Sequence, residues 1–231
     1  MRSFHPWAFG YCLILSLTLL IAHWSNRAIT VLAELTPPER HHTIIIDPGH
    51  GGVDGGATSC TGVPESRFNL EISLKLNDFL RFLGYDTRMI RTEDISVYTK
   101  GETIAAKKAS DLKERVRICN ETENAMLLSI HQNNFSDSRY FGAQVFYASG
   151  SEALAKELQT AFRQTLNPGS RRQEKKSSGI YLMEHISCPG VLIECGFLSN
   201  PQEEGRLRTA SYQKQLAALI GCTVSRYLSN T

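Results

Sequence analysis

Residues 43–57 read TIIIDPGHGGVDGGA. Thr43–Ile46 is a short β-branched run, Asp47-Pro48 stops it, and His50 follows in a loop with five glycines. An apolar run closed by proline and glycine is the pattern of a buried strand entering a loop. An imidazole there can grip a phosphate, hold a metal or make a turn. The rest of the chain decides among them.

Two later stretches share the grammar. LLSIHQNN (127–134) and VLIECGF (191–197) are apolar runs that end in His131 and Glu194. In open α/β sheets, ligands collect beyond the carboxyl ends of strands. Three such strands, if adjacent and of one polarity, bring His50, His131 and Glu194 to one crevice. Further strands are predicted at Thr87–Ile90, Ala143–Tyr147 and Tyr181–Met183. Helical patterns cover Glu65–Leu83, Asp111–Thr122, Ser151–Leu166 and Tyr212–Tyr227; Phe68, Ile72, Leu76, Phe79 and Leu83 give the first a core-facing side. The alternation predicts a single α/β domain: a twisted, mixed, mostly parallel sheet of about six strands with helices on both faces. The charged stretch Arg171–Gly179 reads as a solvated turn.

A carboxylate is available at the start of the first helix. Glu65 follows Gly62-Val63-Pro64, while Glu71 stands six residues on, about 600° around the helix, and so looks to a different side. Glu65 is chosen because it begins beside the glycine loop; Glu71 reads as solvent-facing. His50, Glu65 and His131 then form the two-histidine, one-carboxylate set of catalytic zinc, with a position left for water. Two neutral imidazoles and one carboxylate leave the metal net positive, able to activate water and polarise a carbonyl. Glu194 is the candidate catalytic residue, a general base and then the acid to the leaving nitrogen. Rival chemistries are weaker. The glycine loop lacks the G-K-[S/T] ending of a phosphate-binding loop, and no H-E-x-x-H helix is present. Cys195 paired with His131 is an alternative nucleophile, although a cysteine at a strand end is usually buried and inert.

The whole chain bounds these readings. Its 231 residues are 42% hydrophobic and 21% charged with a net charge of +2, an ordinary globular composition without the basic field of a nucleic-acid binder. Six cysteines with no C-x-x-C pair make no disulfide framework, and a Cys60–Cys188 pairing is left open. Residues 1–33 read as a signal peptide or signal-anchor: Arg2 precedes an apolar stretch from Trp7 to Ala22, shorter than the roughly 20 residues that span a bilayer. Residues 34–42, with Pro37-Pro38, are a linker, and 43–231 the catalytic domain. The protein is therefore expected to be exported and to act outside the cytoplasmic membrane, secreted or membrane-anchored. Ligands drawn from three distant segments must be held by the surrounding fold, which points to a stabilising protein partner.

Several blocks in one order carry a resemblance: IDPGHGGVDGGA, ESRFNLEISLKL, RTED with DLKERVRICN, LLSIHQNN, GAQVFY and VLIECGFLSN. From Thr43 to Leu228 the chain resembles the zinc-dependent N-acetylmuramoyl-L-alanine amidases of bacterial cell-wall turnover. The resemblance implies zinc on His50, Glu65 and His131, with Glu194 catalytic. It also implies hydrolysis of the amide between the lactyl group of N-acetylmuramic acid and L-alanine in peptidoglycan. ISVYTKGETIAAKKASDLKERV and IYLMEHISCPGVLIECGFLSNPQE look like the germination-specific, spore-cortex branch, whose products lead to muramic-δ-lactam. Family members often read H-A-N or H-A-D where this chain has His131-Gln132-Asn133. Two other readings stay beside it: a zinc peptidase cutting within the stem peptide, and a non-catalytic wall-binding regulator.

Overall fold

The computed structural model describes residues 42–230. The expected signal or anchor lies outside them, as does nearly all of the linker. Among the described residues no helix is long and apolar enough to cross a membrane.

Strand β1 is Thr43–Pro48, β2 Asp86–Met89, β3 Ala125–Asn133, β4 Gln144–Tyr147, β5 Lys175–Lys176 and β6 Gly190–Phe197. They form one six-stranded sheet in the order β2-β1-β3-β6-β4-β5. The pairs β2–β1, β1–β3 and β3–β6 are parallel, and β4 runs antiparallel to β6. The sheet is thus mixed and mostly parallel, as expected. Its helices are α1 (Glu65–Phe82), α2 (Ile104–Asn120), α3 (Glu152–Gln164), α4 (Tyr181–His185), α5 (Pro201–Leu207) and α6 (Ala210–Ser229).

Strand alternation divides the core into two clusters. Ile44 and Ile46 of β1, Met126, Leu128 and Ile130 of β3, and Val191 and Ile193 of β6 pack under α1, α3 and α6. Ile45, Leu127 and Leu192 face the other way, toward α2 and α4. Helix α1 buries Phe68, Ile72, Leu76 and Leu80, each stabilising by about 1.5–3 kcal/mol relative to exposure.

Four elements depart from the sequence reading, and one is β5, a two-residue strand that pairs with β4 inside the charged stretch read as a solvated turn. Tyr181–Met183, read as a strand, lies in the one-and-a-half-turn helix α4. The apolar run is too short for periodicity to separate strand from helix. What decides it is Gly179 at φ 74°, which turns the chain, and His185, which stacks on Tyr181 at 3.9 Å and donates from Nδ1 to the Tyr181 carbonyl at 2.8 Å. Helix α2 starts at Ile104 rather than Asp111, with Thr103 accepting a cap hydrogen bond from Ala106 N. Its first turns are mostly solvent-exposed, so they carry no apolar period. Helix α5 was not anticipated, although Asn200-Pro201 is a cap signature: the Asn200 side chain accepts from the backbone N–H of Gln202 and Glu203.

Candidate metal centre

The parallel order β1-β3-β6 places the three carboxyl-end residues side by side. Pro48 pairs with Ile130, and His131 stands directly opposite Glu194. Odd residues of β3 and even residues of β6 share a face, so His131 and Glu194 lie with Leu127 and Leu192 on the side covered by the short helix α4 and by α2.

Beyond β1 the chain makes a tight loop. His50 has φ 60°, an unusual left-handed backbone for a non-glycine residue, and its Nδ1 donates to Asp54 Oδ2 at 3.0 Å. The glycines around it have two demonstrable jobs. A Cβ on Gly49 would lie 2.2 Å from the His131 ring, and one on Gly56 would lie 2.7 Å from both Glu65 Oε2 and His50 Cδ2. Side chains at either position would displace the imidazoles.

Glu65, buried at the first position of α1, faces both histidines. Its Oε1 accepts from His131 Nδ1 at 3.0 Å, and its Oε2 lies 3.3 Å from His50 Nε2. The ligand atoms of the three residues fall within 4.8 Å of one another. The carboxylate is fixed by further donors: Ala57 N to Oε2 at 3.1 Å, Gln132 N to Oε1 at 3.1 Å and Asn69 Nδ2 to Oε1 at 3.2 Å. Burial alone would raise the Glu65 pKa, but hydrogen bonds and charge from His131 and His50 drive it far below the ordinary carboxylate range. His50 shows the converse: burial pulls its pKa down, yet Glu65 and Asp54 raise it to about 9. Two imidazole nitrogens aimed at one ionised carboxylate form a nitrogen-oxygen-nitrogen donor set that suits a divalent cation such as zinc. Asp54 on the far nitrogen of His50 stands where an outer partner orients the imidazole in metal sites.

Glu194 is different in kind. Its Oε2 is buried with no hydrogen-bond partner among the described residues. Burial, reinforced by the nearby Glu65 charge and opposed by His131 and His50, pushes its pKa to about 7. A carboxyl poised at neutrality suits proton transfer.

The structure therefore brings all four sequence-derived residues together. Glu71, read as solvent-facing, is instead half-buried and accepts from Gln213 Nε2 at 2.7 Å on α6, away from the histidines. Cys195 follows Glu194 onto the opposite face of β6, where burial raises its thiol pKa strongly. A protonated, enclosed thiol facing away from His131 is no nucleophile. Gln132 likewise points away from the site, its Nε2 donating to Asn69 Oδ1 at 3.3 Å. It belongs to the support of Glu65.

Two buried arginines were missed by sequence reasoning. Arg91 donates to the carbonyls of Pro48 (2.9 Å), Gly49 (3.0 Å) and Ser66 (2.9 Å), tying the histidine loop to the start of α1. Arg115 of α2 pairs with buried Asp47, and donates to Pro48 O at 3.0 Å and His50 O at 2.8 Å. Asp47 is further held by Ser129 Oγ at 2.6 Å; Arg115 and Ser129 outweigh the effect of burial and keep its pKa below 3.8. The available signal was Asp47 itself, since a carboxylate ending a buried strand needs a cation.

A cleft of about 340 Å³ opens onto His50 and His131, walled by Lys108, Leu112, Ile180 and Tyr181. Residues 44–225 match the family model described as N-acetylmuramoyl-L-alanine amidase. This chain belongs to that family. It is an amidase of that class, and its relatives agree. The germination-specific N-acetylmuramoyl-L-alanine amidase of Bacillus subtilis is 37% identical over 190 residues, 80% of this chain and 79% of that protein. The CwlD amidase of Clostridioides difficile, solved in complex with the GerS lipoprotein, is 36% identical. It superposes with a TM-score of 0.79 over 82% of this amidase and 100% of that chain. A second amidase structure, from Clostridium difficile 630, is 30% identical with a TM-score of 0.73, covering 84% of this chain and all of that one.

Proposed function

We propose that this amidase holds one zinc ion on His50, Glu65 and His131 and hydrolyses the amide between the lactyl group of N-acetylmuramic acid and L-alanine of peptidoglycan. The observation that carries the proposal is the convergence of His50 Nε2 and His131 Nδ1 on the single Glu65 carboxylate, with Glu194 in register opposite His131. Zinc bound there supplies Lewis-acid polarisation of the scissile carbonyl and lowers the pKa of water.

The chain's own residues supply the rest. Asp54 and the Arg115 contact to the His50 carbonyl hold that imidazole in place. Glu194, with a pKa of about 7, accepts the proton of the attacking water and returns it to the leaving amine of L-alanine. The cleft wall of Leu112, Ile180 and Tyr181 gives the substrate an apolar surface beside the histidines.

The biological setting is part of the proposal. Similarity to the germination-specific amidase of Bacillus subtilis supports action in spore-cortex maturation, on strands destined for muramic-δ-lactam. Residues 1–33 export or anchor a catalytic domain that begins at Thr43, outside the cytoplasmic membrane. The lipoprotein bound to the Clostridioides difficile relative supports a stabilising protein partner here as well.

The test is mass spectrometry of peptidoglycan digested by the purified chain, with added zinc and with chelator. Zinc-dependent release of intact stem peptides with a free L-alanine amine is the expected product. Glu194→Gln should lose at least a hundredfold in rate and keep its zinc, whereas His131→Ala should lose both. Cleavage within the peptide would transfer the enzyme to the peptidases, and an active Glu194→Gln would remove the proposed base.

A further inference from the structure

Two thiols outside the metal centre meet across the smaller face of the sheet. Cys119 lies near the end of α2 and is buried in the cluster with Ile118 and Leu127; Cys188, in the loop before β6, packs against the same cluster. Their neighbours are pinned to each other. Asn120 Nδ2 donates to His185 O at 3.1 Å, and Ser187 donates to Asn120 Oδ1 from both its N–H (2.8 Å) and its Oγ (3.0 Å). On the other side, Leu127 N donates to Pro189 O at 2.8 Å. The residues beside the two cysteines are thus bonded to each other, both side chains pack on one cluster, and both thiols are free. Cys60 and Cys222 are exposed elsewhere, and Cys195 is buried on the opposite face. The Cys60–Cys188 pairing left open by the sequence therefore has a better-placed competitor.

We infer that Cys119 and Cys188 form a disulfide-competent pair, oxidised to a cross-link by a small-molecule disulfide or a thiol-disulfide oxidoreductase. The two sulfurs differ in a way that sets the order of events. Each thiol is the main influence on the other: Cys188 raises the Cys119 pKa, and Cys119 lowers that of Cys188. Cys188, half-buried and with the lowered pKa, is the attacking thiolate. It attacks one sulfur of the oxidant RS–SR, forming Cys188–S–SR and releasing RS⁻, which takes the Cys188 proton. Cys119 then loses its proton and attacks the Cys188 sulfur, releasing the second RS⁻ as RSH. Two protein thiols are oxidised, one disulfide is reduced to two thiols, and no other reactant is needed.

The cross-link closes a loop of about 70 residues and joins α2, which carries Arg115, to the approach of β6, which carries Glu194. Long closed loops lose the most denatured-state entropy, so the oxidised chain should melt roughly 10 °C above the reduced one. The inference is independent of substrate and metal.

The experiment treats the full chain with oxidised glutathione, caps free thiols with N-ethylmaleimide, and digests without reductant for mass spectrometry. The expected result is a Cys119–Cys188 peptide pair two hydrogens lighter than its parts and separated by dithiothreitol. The oxidised protein should also melt higher than the reduced. Cys188→Ser, a near-isosteric change at a half-buried position, should fold and lose both effects. Capping of both thiols, a terminal glutathione adduct on Cys188, a link through Cys60 or Cys222, or a linked chain that melts no higher would each overturn the inference.

Discussion

Gly49→Ala tests whether the glycine loop exists to admit the metal ligands. Gly49 does not have a left-handed backbone, so alanine suits its main chain and the substitution isolates a steric effect. The new methyl would stand 2.2 Å from His131 Cε1 and Nε2, whereas ordinary contact begins near 3.4 Å. The imidazole must therefore retreat by about 1.2 Å. Metal sites hold their ligand distances within about 0.2 Å, and a displacement near 1 Å at a reacting centre costs about a hundredfold in rate. Overpacking itself should cost about 1–3 kcal/mol of stability. Zinc content by elemental mass spectrometry should fall well below one per chain, and amidase rate by at least a hundredfold. Gly205→Ala in α5 is the control, since nothing lies within 4 Å of its added methyl. It should leave zinc and rate unchanged and stabilise α5 by up to about 1 kcal/mol. A Gly49→Ala chain that keeps one zinc and a rate within threefold of the parent would refute the steric reasoning.

Two further outcomes follow from the charges. His50, with a pKa of about 9, is protonated at neutral pH before metal arrives and must lose that proton to ligate. Zinc affinity, measured by chelator competition, should therefore weaken about tenfold per unit as pH falls from 8 to 6; a flat profile would remove His50 from the ligand set. Arg115→Met strips the buried Asp47 of its cation and should cost about 3–5 kcal/mol in denaturant unfolding at pH 7. Because Asp47 has a depressed pKa in the folded chain, its stabilisation is present above its ordinary 3.8 and lost as pH falls through the folded value. The gap between parent and variant should narrow in acid, and a loss below 1 kcal/mol at pH 7 would show that the pair does not support the loop.

Much of this protein is legible from one chain. Apolar runs leading to His50, His131 and Glu194 announce strands whose tips carry polar groups. The period of Phe68, Ile72 and Leu76 marks a helix with one buried side, and Asn200-Pro201 carries a cap signal for α5. The choice of Glu65 over Glu71 was also within reach, since helical rotation separates them. Other features belong to the fold. That β1, β3 and β6 are neighbours of one polarity follows from long-range pairing, which local patterns do not encode. The division of Glu194 from Cys195, and of His131 from Gln132, became functional once the sheet had two differently covered faces. Arg91 and Arg115 lie 43 and 67 residues from the Pro48 carbonyl they share, and Cys119 lies still further from Cys188 along the chain. Composition and periodicity report which face of an element is buried. Which donor meets which acceptor is decided when desolvated groups must find partners in the assembled core, and that is a property of the tertiary structure.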